Sequence, residues 1–142
     1  MPSLRRILLP TLIAATALPL SGCVNDSASY LIGDDRKHAV TLIRAQPWFW
    51  DDKVTLSLVA ARQPECYGGL DVEGVPRTAK MGLYLAPDEY PERIFILEIE
   101  GTQYALSTQS CRVQKFNEPV AAKGELLGSF QEASGALTFV AK

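Results

Sequence analysis

The sequence is poor in the residues from which active sites are most often built. It holds one histidine, His38, and three cysteines, Cys23, Cys66 and Cys111, in 142 residues. A nucleophilic serine or cysteine needs a neighbouring base. His38 could supply one, but no Gly-x-Ser-x-Gly turn accompanies it, and a histidine at the start of a strand is the simpler reading. Zinc takes three or four nitrogen, sulfur or carboxylate ligands, a set this chain does not offer in any obvious spacing. Asp34-Asp35 lacks the alternating oxygen ligands of a calcium loop. Gly68-Gly69 lacks the lysine and helix of a phosphate loop. Asp71 and Glu73 have the chemistry of a glycosidase pair, but they lie two apart beside glycines, as in many unrelated proteins. No basic run is present, which argues against nucleic acid as a partner. The expectation is a protein without catalytic residues, metal or cofactor.

What is present begins at the amino terminus. Arg5 and Arg6 precede an apolar run, Ile7 to Leu20, that contains Pro10 and Pro19 and ends at Leu20-Ser21-Gly22-Cys23. The run is about 14 residues long, against roughly 20 for a spanning helix. A charged start, an apolar middle and small residues before a cleavage point form a secretory signal. Arg5-Arg6 is not followed by the rest of a twin-arginine motif, so the general secretory route is expected.

Over residues 1–23 the chain resembles the signal of bacterial lipoproteins: aliphatic, small, small, cysteine. The resemblance implies that the signal, residues 1–22, is removed. It also implies that Cys23 receives a diacylglycerol on sulfur and a fatty acyl group such as palmitate on its new amino group. Val24, in place of an aspartate, is similar to the pattern that directs such proteins to the outer membrane, facing the periplasm. The whole chain has 14 basic and 16 acidic residues. With residues 1–22 go two arginines and no acid, leaving 120 residues with 12 basic, 16 acidic and a formal charge of −4. That is an ordinary solubility charge, with a mild preference for cationic partners, on a length suited to one domain. If Cys23 carries lipid, Cys66 and Cys111 form an even pair in an oxidising compartment, which reads as a disulfide. Closing that loop is worth about 4 kcal/mol in the chain-entropy model. A metal or nucleophile role for either thiol is the alternative.

Residues 23–36 read as a lipidated tether and residues 37–142 as a single β domain. Strand character appears at 39–45, 54–62, 80–86, 93–99, 103–108, 126–130 and 136–141, with turn residues between. In the strand at 93–99, Ile94 and Ile96 make the second face apolar too, which predicts a central position. Residues 63–69 read as a loop, and Asn117 and Pro119 suggest a short helix within 112–124. The fold class is mainly β: a small antiparallel sandwich or barrel of about six to seven strands, with a separate N-terminal signal helix. Its expected core contains Leu56, Leu58, Leu83, Leu85, Phe95, Leu97, Ile99 and Leu106.

Both tryptophans of the protein lie in Trp48-Phe49-Trp50, between Pro47 and Asp51-Asp52, at the turn of the first hairpin. Two readings stand. The rings fill the core, or Trp48, Phe49 and Trp50, with Asp51 and Asp52 as an acidic rim, form a partner contact. Trp48, next to Pro47, is the ring expected to be exposed. Ser134-Gly135-Ala136 resembles the Ser-Gly element of the membrane-bound lysozyme inhibitors, but lacks the tyrosine and downstream tryptophan of that pattern. The expected function is a lipid-anchored periplasmic binding or accessory protein of the envelope. Its partners would be the membrane, through Cys23, and an envelope protein or glycan. A small envelope hydrolase and a lipocalin-like carrier of an apolar ligand are the alternatives.

Overall fold

A computed structural model describes residues 24–142. The signal segment, its expected helix and Cys23 lie outside the described residues. Among the described residues there are ten strands and no helix: β1 (Asn25–Ile32), β2 (Asp35–Ala45), β3 (Lys53–Arg62), β4 (Cys66–Pro76), β5 (Met81–Leu85), β6 (Phe95–Ile99), β7 (Thr102–Leu106), β8 (Val113–Lys115), β9 (Glu125–Ala133) and β10 (Ala136–Ala141). They form two antiparallel sheets, ordered β1-β2-β3-β4 and β10-β9-β5-β6-β7-β8. The sheets pack face to face, with β1 beside β10 at one edge and β4 beside β8 at the other. Of the sandwich and the barrel that the alternating pattern allows, this is the sandwich, built from ten strands rather than six to seven.

Period-two alternation builds the interior. Register pairs Tyr30 with Val40 and Val40 with Ala60, then Ala28 with Leu42, Leu42 with Leu58, and Leu58 with Leu70. The facing sheet supplies Met81, Leu83, Phe95, Leu97, Leu106 and Phe130, all buried. Of the expected core, Leu85 is half-buried and the other seven side chains are buried. Strand β6 is central, between β5 and β7, and Ile96 is fully buried on its outer face.

Three hairpins close on two-residue turns with both φ positive: Gly33-Asp34, Glu100-Gly101 and Ser134-Gly135. Such turns match the right-handed twist of the strands they join. The Ser134-Gly135 element is therefore the β9–β10 turn.

Three expectations change. Residues 25–32, read as tether, form edge strand β1. Its inward residues are Asp26, Ala28 and Tyr30, and the alternating Asn25, Ser27 and Ser29 gave the stretch a polar, small composition. The loop expected at 63–69 is a short turn followed by a strand: Cys66–Pro76 form β4. There the Gly68-Gly69 pair marks close approach rather than a break: a Cβ on Gly68 would lie 1.9 Å from the carbonyl oxygen of Cys111. Residues 112–124 form no helix. After β8 the chain crosses the outer face of β6 and β7, where the Phe116 amide donates to the Gln103 carbonyl (2.9 Å) and the Val120 amide to Gln103 Oε1 (2.8 Å). The crossing lies over the face on which Ile96 and Ala105 are buried.

Leu97 is fully buried at the centre of this sandwich. Leu97→Ala is expected to lower unfolding free energy by about 2–5 kcal/mol through lost transfer energy and the cavity left behind. Urea unfolding measures this directly; a change within about 0.5 kcal/mol, the range of surface substitutions, would contradict the packing.

Candidate functional site

The β2–β3 connection presents the aromatic cluster. Trp48, Phe49 and Trp50 are 58%, 65% and 67% exposed, so the core-filling reading fails for all three rings, not for Trp48 alone. The rings organise one another instead. Trp48 and Trp50 stack, with centroids 5.2 Å apart and planes 16° from parallel. Phe49 meets Trp50 edge to face at 4.7 Å and 86°. Local hydrogen bonds hold the loop: the Asp51 amide donates to the Trp48 carbonyl (3.0 Å), and the Lys53 amide to the side-chain oxygen Asp51 Oδ1 (3.0 Å). Gln46 Nε2 donates to the Asp51 carbonyl across the loop's base. Asp51 is thereby turned back into the loop and half-buried, and of the expected acidic rim it is Asp52 that is exposed.

The same base is fixed to the start of the described chain. The Gln46 amide donates to the Val24 carbonyl (2.8 Å), and the Val24 amide donates to Gln46 Oε1 (3.2 Å). In sequence, Val24 is bonded directly to Cys23.

One turn of register further in lies a charged cluster that sequence reasoning missed. Arg44 occupies an inward position of β2, is 1% exposed, and pairs in register with Asp26 of β1. Its Nε and Nη2 donate to the two oxygens of Asp26 at 2.9 and 2.7 Å. Nη1 donates to Glu132 Oε2 of β9 (2.5 Å) and the Arg77 carbonyl (3.2 Å), and Nη2 also reaches the Gly135 carbonyl (3.3 Å). Arg77 Nε donates to Glu132 Oε2 at 3.0 Å, and the Leu137 amide to Asp26 Oδ2 at 2.9 Å. The signal was there to find: an arginine in phase with Val40 and Leu42 on an otherwise apolar strand face. Hydrogen bonding from Arg44, helped by the Leu137 amide, holds the Asp26 carboxyl below its ordinary value of 3.8. Arg77 and then Arg44 do the same for Glu132, and Asp26 raises Arg44 in turn.

The other residues singled out from sequence are dispersed. Cys66 and Cys111 are bonded, with Cα atoms 5.8 Å apart, and tie β4 to the chain after β7 at the far end of the sandwich. His38 is half-buried near that end, its Nε2 2.7 Å from Thr108 Oγ1. Asp71 and Glu73 are exposed on β4, and Asp71 Oδ1 accepts from Ser57 Oγ at 2.5 Å. Among the described residues no group of three or more His, Cys, Asp or Glu is placed to hold a metal ion. A shallow groove of about 460 Å³ lies on the outer face of the six-stranded sheet, over Gly82, Tyr84, Leu126 and Val140. Beside it, Lys123 Nζ sits 4.6 Å from the Tyr84 ring centroid and 3.1 Å from Glu98 Oε2. Gln103 and then Lys123 hold Glu98 below its ordinary value.

Scans against protein-family models, curated proteins and solved structures found no match to this chain.

Three outcomes follow from the geometry. Trp48→Ala and Trp50→Ala are each expected to leave unfolding free energy within about 0.5 kcal/mol, as surface changes do; cooperative unfolding at lower urea by a wide margin would contradict the exposed loop. Arg44→Met is expected to destabilise by about 3–5 kcal/mol, because it strips Asp26 of its cation and leaves Glu132 with Arg77 alone. The cluster also sets an acid limit. Carboxyls lowered in the native state contribute fully above their unfolded values, and the contribution is lost as pH falls through the native ones. For Asp26 and Glu132 that loss begins near 3.8 and 4.5 and extends below them. Asp26→Asn with Glu132→Gln should flatten the acid limb of a stability–pH curve; an unchanged limb would place the acid sensitivity elsewhere.

Proposed function

We propose that this protein is a lipid-anchored, non-enzymatic accessory protein of the bacterial envelope. The lipid is on Cys23, and the domain acts by contact through the Trp48–Asp52 loop. The observation that carries this reading is three exposed, mutually packed aromatic rings on one ordered loop, set beside Val24. Large apolar rings held in place before contact lose little conformational entropy on binding, and tryptophan is prominent among residues that anchor interfaces. The space between the sheets is filled by Phe95, Phe130, Leu97 and Leu106, which supports contact at a surface over carriage of an apolar ligand. The lipoprotein-like Leu20-Ser21-Gly22-Cys23 supports the anchor, and Val24 in place of an aspartate supports the outer-membrane destination.

Growth with labelled palmitate tests the anchor. Label is expected on the protein and absent from Cys23→Ala; equal label on both would contradict it. A photo-crosslinking residue at Phe49 tests the contact in intact cells. It is expected to form an adduct with an envelope component, and its failure to do so in a labelled protein would refute the loop's role while leaving the anchor standing.

A further inference from the structure

We infer that the surface contacted by the Trp48–Asp52 loop is the lipid bilayer itself. The loop is a second membrane contact that stands the domain end-on over the interface. This rests on the lipid-anchored reading and adds to it which face of the domain meets the membrane.

The inference comes from where the chain enters the fold. Val24 is locked to Gln46 through both its amide and its carbonyl. Cys23 is the residue joined to Val24 in the chain. Acyl chains on Cys23 therefore leave the domain beside the loop's base. No free tether intervenes, since β1 begins at Asn25. A bilayer that takes up those chains lies against whatever surrounds Val24, where the exposed aromatic rings of the loop stand with the β9–β10 turn near them.

The chemistry of the loop suits that position. Indole and phenyl rings partition to the headgroup level, where an apolar body and a polar N–H can both be satisfied. The rings are already stacked, so insertion does not have to order them. Exposed Asp52 stands next to exposed Lys53, and Asp51 is folded inward, so the tip does not carry a strong field of either sign. Zwitterionic headgroups fit this better than an anionic surface, which attracts basic clusters. Two acyl chains already hold a protein on a membrane stably. The loop's contribution is thus orientation. The run of β2 from Ala45 back to His38, at about 3.3 Å per residue, carries the disulfide corner about 20 Å or more away from the bilayer.

The two tryptophans are both in this loop, so indole emission reports the loop alone. The test uses the mature lipidated protein, reconstituted into phosphatidylethanolamine–phosphatidylcholine vesicles with or without a phospholipid brominated high on its acyl chain. The expected result is a blue-shifted emission, most of it lost in the brominated vesicles, with much reduced quenching by aqueous acrylamide. Protein that floats with the vesicles but keeps a water-like emission, unquenched by bromine, would overturn the inference and leave the anchor intact. Protein that does not float would refute the anchor and this inference together. If the rings stay aqueous and the Phe49 crosslinker captures a protein, the contact belongs to a protein partner and not to the bilayer. Trp48→Phe and Trp50→Phe, read in the same vesicles, assign the depth of each ring.

Discussion

Arg44 is the point at which the two sheets, the strand entered from Val24 and the strand leading to the aromatic loop are held to one another. Its five N–H donors meet five acceptors on four other segments of chain: both oxygens of Asp26, Glu132 Oε2, and the carbonyls of Arg77 and Gly135. A guanidinium withdrawn from water is expensive unless every donor is used and the charge is matched. Here two carboxylates, Asp26 and Glu132, meet the one guanidinium, and a second arginine, Arg77, shares Glu132. A lysine has one ammonium and could not span these acceptors, because the planar fork is what allows simultaneous bidentate and carbonyl contacts. The cluster fixes register as well as stability. Slipping β1 by one residue against β2 would turn Asp26 outward and leave Arg44 buried with its main partner lost.

The opposite corner is closed by different chemistry. The Cys66–Cys111 bond joins β4 of one sheet to the chain after β7 of the other, so the sandwich is tied ionically at the β1–β10 edge and covalently near the β4–β8 edge. The two ties respond to different conditions, acid for the first and reductant for the second. Between them the apolar core does most of the work of holding the sheets together. Gly68 belongs to the covalent corner: with no Cβ it lets β4 approach the Cys111 carbonyl closely enough for the bridge to form.

Much of this was legible in the sequence wherever one side of a strand is apolar. The alternation of Val54, Leu56, Leu58 and Ala60, of Met81 and Leu83, and of Phe95, Leu97 and Ile99 gave strands, faces and core correctly. The doubly apolar β6 gave its central position. Where the strand's inward residues are small or charged, the pattern vanished. Strand β1 turns Asp26 and Ala28 inward, and β4 carries Gly68 and Gly69 where approach is close. The segment after β8 was misread for another reason: Asn117 and Pro119 satisfy the local rules for a helix start, but the neighbouring sheet offered Gln103 as a partner for the extended chain. Local capping chemistry lost to a tertiary hydrogen bond. For the loop, the residue types left core filling and contact both open, because exposure depends on what the hairpin turns toward, and one sequence does not carry that.

Val24, the loop and the arginine cluster share one end of the molecule, and that is what gives the functional account its shape. Val24 holds Gln46, Asp26 holds Arg44, and Arg44 holds the β9–β10 hairpin, so a force at Cys23 would be passed to the whole sandwich within a few residues. The proposed consequence is a domain that stands upright on its aromatic loop with the disulfide corner outermost. Depth measurement by electron paramagnetic resonance tests this most directly, with genetically encoded spin labels at Asp52 beside the loop and at Gln109 near the disulfide. In vesicles bearing the lipidated protein, the account predicts oxygen-rich, nickel-poor accessibility at Asp52 and fully aqueous accessibility at Gln109. Equal aqueous accessibility at both sites would contradict it.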